Sequence, residues 1–208
     1  MSRIYPSPFI VPPGEIAVVK VGGSLYDLPD LGPRLCRWLA EHCAGMRVVL
    51  VPGGGGLVDA IRHLDQRHGL GEEASHWLAL RALSVNAHFL AALLPSTCVS
   101  GYDGELAHAW GTNRLPILDV HEFARVDERR PGCLPHSWSV TSDALAARVA
   151  VVLQARYLVL LKSTTLPPGV DWAEAGRLGL VDAMFAEVLR DAPADLRVSA
   201  VNLRTWSM

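Results

Sequence analysis

Two runs of aliphatic, mostly β-branched residues break off into glycine: Ile16-Ala17-Val18-Val19-Lys20-Val21 before Gly22-Gly23, and Val48-Val49-Leu50-Val51 before Pro52 and Gly53 to Gly56. Runs this short, apolar at alternating positions of both phases, are strands buried on two faces. That is the condition of a parallel sheet with helices packed on each side. Between the two runs, Leu31, Leu35, Trp38, Leu39 and Cys43 recur at helical spacing until Gly45. After the second run, Leu57, Ile61 and Leu64 mark a helix over Leu57 to Arg67. Strand, helix, strand, helix in immediate succession predicts a βαβα unit with parallel strands.

The rest of the chain continues the pattern less regularly. Glu73 to Leu94 carries Leu80, Leu83, Ala87, Leu90 and Leu94 at helical spacing, a stripe that suits the core or a dimer seam. Short strands are expected at Thr97 to Ser100 and Pro116 to Val120, followed by an irregular stretch from Arg125 to Ser137. A helix over Ser142 to Gln154 leads to a buried strand at Tyr157 to Leu161. A loop from Ser163 to Gly179, around Pro167-Pro168-Gly169, precedes a helix at Asp182 to Arg190 and a closing strand at Arg197 to Asn202. With no repeat and no linker, one domain over residues 1–208 is expected, with an irregular lead-in over 1–14.

Composition excludes several classes. Half of the 208 residues are apolar, 19% are charged and the net charge is −2, values of a folded globular chain. The arginines are scattered, which argues against a nucleic-acid partner. No apolar run approaches the ~18–20 residues that span a bilayer, and Met1 to Pro13 lacks the apolar centre of a signal peptide. No membrane association and a cytoplasmic location are therefore expected. Cys36, Cys43, Cys98 and Cys133 show neither CxxC spacing nor a ligand pairing with histidine, so reduced, buried thiols and no protein-held metal are expected.

The basic residues hold a sharper signal. Of 19 lysines and arginines only Lys20 and Lys162 are lysine. Lysine is a compact charge on a flexible stem and arginine a planar fork, so the two are not interchangeable where one phosphate oxygen must be reached. Both lysines stand at the carboxyl end of a buried strand, the edge at which open parallel sheets bind ligands. Lys20 is followed by Val21-Gly22-Gly23-Ser24, and Lys162 by Ser163-Thr164-Thr165. Glycines at a strand end admit backbone N–H groups to a phosphate, though Gly-Gly is also a common turn. Four glycines, Gly53, Gly54, Gly55 and Gly56, cost conformational entropy that a plain turn does not require, and point to a cradle for an anion. Neither the P-loop pattern nor a convincing dinucleotide fingerprint is present. Thr141-Ser142-Asp143 opens an alanine-rich helix; it reads as an ordinary cap or as a carboxylate placed between the two lysines. Two lysines and an aspartate suit phosphoryl transfer, where positioning and charge neutralisation do most of the work.

In these four ordered places, Lys20 to Ser24, Gly53 to Gly56, Thr141 to Asp143 and Lys162, the chain resembles the amino acid kinase family. The resemblance implies a three-layer αβα sandwich around a mostly parallel sheet, with the acceptor over about 15–135 and the nucleotide over about 136–208. It implies ATP as donor and Mg²⁺ held mainly by the nucleotide's phosphates. Lys20 would stabilise the transferring group, Lys162 would neutralise phosphates on the leaving side, and Asp143 would hold both lysines. Gly22 and Gly23 would donate N–H bonds to phosphate oxygens, with Ser24, Ser142, Ser163 and Thr164 also among the phosphate-binding groups. Gly53 to Gly56 would face the acceptor. Within the family, His136-Ser137-Trp138-Ser139-Val140-Thr141-Ser142-Asp143 resembles a stretch of the small archaeal-type kinases of methanofuran biosynthesis. That implies a phosphorylated aminomethylfuran acceptor, Trp138 stacked on its ring and His136 on a phosphate. A packed loop is the plainer role for both residues. The family habit also implies a homodimer or a higher homo-oligomer. A carboxylate or carbamate kinase of the same fold, and a non-catalytic nucleotide- or oxoanion-binding protein, stay open. The sequence departs from the family after Lys162, where a proline-rich stretch replaces a short acidic turn.

Overall fold

A computed structural model describes residues 14–102 and 104–207. Nearly all of the lead-in expected at 1–14 lies outside the described residues. The strands are β1 (Ile16–Val21), β2 (Arg47–Pro52), β3 (Thr97–Ser100), β4 (Leu115–Leu118), β5 (Tyr157–Lys162) and β6 (Arg197–Asn202). The helices are α1 (Leu31–His42), α2 (Gly55–His68), α3 (Glu72–Leu93), α4 (Glu105–Gly111), α5 (Val120–Asp127), α6 (Ser142–Val152), α7 (Trp172–Arg177) and α8 (Phe185–Val188). The strands form one sheet in the order β3-β4-β2-β1-β5-β6, and all the described pairings are parallel.

Helices cover both faces of the sheet. Strand alternation assigns Val18 of β1 and Leu158 and Leu160 of β5 to the face packed by α5, α6 and α8. Ala17, Val19 and Val21, with Val159 and Leu161, face α1 and the second half of α3. Helix α6 is buried without a break from Asp143 to Ala150, and its alanines let it lie close on the sheet. The chain leaves β1 for β2 on one side and later places β5 on the other. The strand order therefore reverses at β1, and a crevice opens beyond the carboxyl ends of β1 and β5.

Several local expectations change. The strand foreseen to Val120 ends at Leu118, because the Asp119 carboxylate caps α5 by accepting from the His121 and Glu122 N–H groups. Helices α4 and α5 were not foreseen, and the stretch read as irregular from Arg125 begins inside α5. The loop expected over 163–179 contains α7, capped by Asp171. The helix expected at 182–190 is reduced to α8 and a 3-10 turn, Leu189–Asp191. On α3 the foreseen stripe is core: Leu80, Leu83, Ala87, Leu90 and Leu94 are all buried. Helix α2 has no buried residue, and its Leu57 and Leu64 are exposed. Four thiols are free; Cys43 is buried, which pushes its thiol up to about 12, whereas Cys133 is exposed. Among the described residues no helix is long and apolar enough to cross a membrane.

Candidate active site

Lys20 follows Val18 by two residues, and Lys162 follows Leu160 by two. Both lysines therefore leave the sheet on the α6 face. Asp143, in the first turn of α6, meets them. Its Oδ1 lies 2.8 Å from Lys20 Nζ and its Oδ2 lies 2.8 Å from Lys162 Nζ. All three side chains are largely withdrawn from water, with exposures of 7% for Lys20, 7% for Asp143 and 13% for Lys162. Burial alone would raise the Asp143 carboxyl, but the two ammoniums outweigh it and hold the group below the ordinary carboxylate range. Lys162 is lowered, by burial first and by Lys20 second, with Asp143 opposing. One carboxylate shared by two ammoniums leaves positive charge for an incoming polyanion, inside a region of weak screening.

The two glycine segments are packed backbone to backbone. A Cβ on Gly23 would overlap the backbone N of Gly55, and Gly55 itself has φ +56. The Gly22 N–H, expected to bind phosphate, instead donates to Leu161 O at 2.8 Å. This bond extends the β1–β5 contact by one residue, so Gly22 shapes the crevice with its N–H already engaged. Gly53 is also a strut. Its N–H donates to Tyr26 Oη at 2.9 Å, and its carbonyl accepts from Tyr26 Oη at 3.0 Å and from Asn86 Nδ2 at 2.8 Å. Asn86 donates again to Gly54 O at 2.7 Å. Gly54, Gly55 and Gly56 then line the cavity at the start of α2.

Two adjoining recesses share Gly23, Ser24 and Thr141 as a common wall. The first, a cavity of about 550 Å³, is bounded by Gly54 to Gly56, by Val58, Arg62 and Trp138, and by the aliphatic side chains Leu80, Leu83, Val140 and Leu145. The second, of about 450 Å³, contains Lys20, Asp143 and Lys162, with Ser163, Thr164 and Asp182. Ser24 Oγ lies 2.8 Å from Ser163 Oγ, bridging the loops after β1 and β5. Ser142, expected beside the nucleotide, lines the first cavity.

The His136–Trp138 stretch is divided. The Trp138 ring lines the first cavity; its Nε1–H donates to Asp65 Oδ2 at 2.7 Å, and the Arg62 guanidinium lies 4.8 Å over its ring. His136 is outside that cavity, in a separate small recess. Its ring nitrogens lie 2.7 Å from Glu73 Oε2 and 3.5 Å from Glu128 Oε1, and its ring stacks on His76 at 4.8 Å. Two carboxylates at those nitrogens make His136 a poor phosphate contact, which corrects the role expected of it. His76 does reach the first cavity. Burial, helped by His136, lowers its imidazole to about 4 against the pull of Glu73, so the ring there is neutral.

Sequence reading missed three participants. Asn86 had a signal, an amide three residues after Leu83 on the buried stripe of α3. Tyr26 and Asp182 had none, because their partners are remote in the chain. Among the described residues no group of three or more His, Cys, Asp or Glu is arranged to hold a metal ion.

The model of the amino acid kinase family matches residues 15–165. Over 146 residues, 69% of this chain, the sequence is 25% identical to the "[5-(aminomethyl)furan-3-yl]methyl phosphate kinase" of Methanocaldococcus jannaschii. The matched region covers 63% of that relative, so the chain spans less than two thirds of its length. In fold the chain is similar to uridylate kinase from Archaeoglobus fulgidus, with a TM-score of 0.61 at 16% identity over 90% of each chain. It is also similar to UMP kinase from Bacillus anthracis, with a TM-score of 0.63 at 15% identity over 92% of this chain and 88% of that one.

Proposed function

Because the chain belongs to the amino acid kinase family, we propose that it passes the γ-phosphoryl group of ATP to a small phosphorylated acceptor, [5-(aminomethyl)furan-3-yl]methyl phosphate or a close analogue, giving the diphosphate. The observation that carries this reading is the Lys20–Asp143–Lys162 triad lining one recess that shares the wall of Gly23, Ser24 and Thr141 with a second. ATP phosphates occupy the recess holding the lysines, beside Gly23, Ser24, Ser163 and Thr164. The acceptor occupies the other, against Gly54 to Gly56 and Trp138. Mg²⁺ would come with the nucleotide and neutralise phosphate charge; among the described residues no group of three or more His, Cys, Asp or Glu is arranged to hold it.

The chemistry at the junction favours an anionic acceptor. The carboxylate in the triad, Asp143, is engaged by two ammoniums and is not free to take a proton from a hydroxyl. A phosphate dianion needs no base. Its oxygen attacks the γ-phosphorus as the bond to the ADP oxygen breaks, while Lys20 meets charge on the transferring group and Lys162 on the leaving phosphates. Arg62 supplies a guanidinium on the acceptor wall, and Trp138 with Leu80, Leu83 and Val140 forms apolar sides suited to a small flat ring. The same reading places the protein in the cytoplasm as a homo-oligomer.

The test is ADP release from the wild type and from Lys20→Ala, with Mg-ATP and the furan phosphate. Turnover with that acceptor, falling by roughly 100-fold or more in the variant, is expected for loss of a charge that stabilises the transition state. Turnover with carboxylates or carbamate alone would move the acceptor to that class. ATP binding without turnover across the whole panel would leave a non-catalytic nucleotide-binding protein.

A further inference from the structure

The strand-end triad accounts for one of the two carboxylates in the nucleotide recess. The other, Asp182, lies in the connection between α7 and α8, where Gly179, Leu180, Val181 and Asp182 line the recess. Its Oδ2 accepts three hydrogen bonds from the start of α6: from Thr141 N at 3.1 Å, Thr141 Oγ1 at 2.7 Å and Ala144 N at 2.8 Å. Thr141 Oγ1 in turn accepts from Asp143 N at 3.4 Å. The backbone of Asp143 is thus bracketed by two residues bound to a carboxylate from a distant part of the chain. Thr141 already serves α6 as its cap, so local capping alone does not call for a second acceptor. Asp182 Oδ1 is buried and has no hydrogen-bond donor among the described residues. Burial raises the Asp182 carboxyl, with the Asp143 charge adding to it and the Thr141 and Ala144 donors opposing.

We propose that Asp182 is a positioning residue for phosphoryl transfer: it docks the 179–182 wall of the nucleotide recess onto the N-terminus of α6, fixes Asp143 between the lysines, and adds a second carboxylate to the recess that holds Lys162. The inference rests on the kinase reading. Ionisable side chains lining the recess are Lys20, Lys162, Asp143 and Asp182. Without the Asp182 charge, Lys162 keeps its burial and its repulsion from Lys20 but loses part of what favours its ammonium.

Two variants separate geometry from charge. Asp182→Asn can leave an amide oxygen where Oδ2 stands and keep the three bonds. Asp182→Ala removes bonds and charge together. In Asp182→Ala, kcat is expected to fall roughly 10- to 100-fold, the cost of misplacing a catalytic group by about an ångström, with the acceptor KM little changed. Amide hydrogen exchange over 140–147 is expected to accelerate in the same variant. In Asp182→Asn, exchange over that segment stays as in the wild type, and the alkaline limb of the kcat–pH profile moves to lower pH. Wild-type kcat and exchange in Asp182→Ala would overturn the proposal. So would an Asp182→Asn profile whose alkaline limb does not move, and that arm decides alone if Asp182→Ala does not fold. If the wild type shows no kinase activity, the functional reading fails; the exchange comparison then still reports whether Asp182 orders the start of α6.

Discussion

At the scale of single residues, the site rests on a carboxylate that two lysines share. Removing it in Asp143→Ala leaves two ammoniums facing each other in a poorly hydrated crevice, a loss of about 3 kcal/mol or more at neutral pH. The sign of its pH dependence follows from Lys162. Lys162 is already lowered by burial and by Lys20, and without Asp143 it loses the charge that opposes them, so the repulsion is present while Lys162 is protonated and is relieved as pH rises and its ammonium deprotonates. Chemical denaturation across pH should therefore show the gap between variant and wild type narrowing on the alkaline side. His76 makes a second residue-scale prediction. Its folded value of about 4 lies below the ordinary 6.5, so the unfolded chain binds the extra proton between those limits. Stability contributed by the neutral ring is complete above about pH 6.5 and falls as pH drops toward 4, by on the order of 2 kcal/mol after discounting for water at its cavity-facing edge. His76→Phe should flatten that slope in acid denaturation; an unchanged slope would assign it to other groups.

At the scale of elements, the glycine segments after β1 and β2 act as one unit. Their backbones touch too closely for side chains, and α3 holds them from beneath through Asn86 while Tyr26 closes the other side. Burial pushes the Tyr26 phenol up, which keeps it neutral and able to donate to Gly53 O. Asn86→Ala removes the amide that donates to both Gly53 O and Gly54 O. The expected loss is about 1–3 kcal/mol, since partly satisfied buried carbonyls remain. Because Asn86 supports the cradle at the proposed acceptor cavity and does not line the proposed nucleotide recess, the acceptor KM should rise while ATP affinity, measured by calorimetry, stays near the wild-type value. Equal losses for both ligands would mean that the two recesses share one support.

At the scale of the whole molecule, the reversal of strand order at β1 brings both lysines to one crevice, and α6 delivers Asp143 to the same place. The covering helices are not all used in this packing. Leu57 and Leu64 on α2 and Leu78, Val85, Phe89 and Leu93 on α3 remain exposed, with Val85 at 57%. Phe89 also touches the edge of Tyr26, the residue that clamps Gly53. A second copy of the chain against this surface would bury the apolar side of α2, which packing within one chain leaves uncovered. Light scattering should report a dimer or larger species for the wild type and a smaller one for the double variant Val85→Glu, Phe89→Glu. A monomeric wild type at micromolar concentration would remove the oligomer from the proposal.

The aliphatic runs ending in glycine determined the parallel sheet by themselves, since strands apolar on both phases have to be covered on both faces. The points at which the apolar runs of β1 and β5 stop already put Lys20 and Lys162 at strand ends. The helix-start signal at Thr141 to Asp143 needed only its own few residues. Short elements were not legible in this way. Helices α4, α5 and α7 are too brief for a period of 3.6 to stand out, and caps such as Asp119 and Asp171 resemble ordinary loop residues until the N–H groups they satisfy are seen. Only the tertiary structure could decide that the Gly22 N–H belongs to the sheet, that His136 is held between two glutamates away from the cavity lined by Trp138, and that Tyr26, Asn86 and Asp182 support the site. Each depends on a partner far away in the chain, so no window of sequence holds both halves of the interaction.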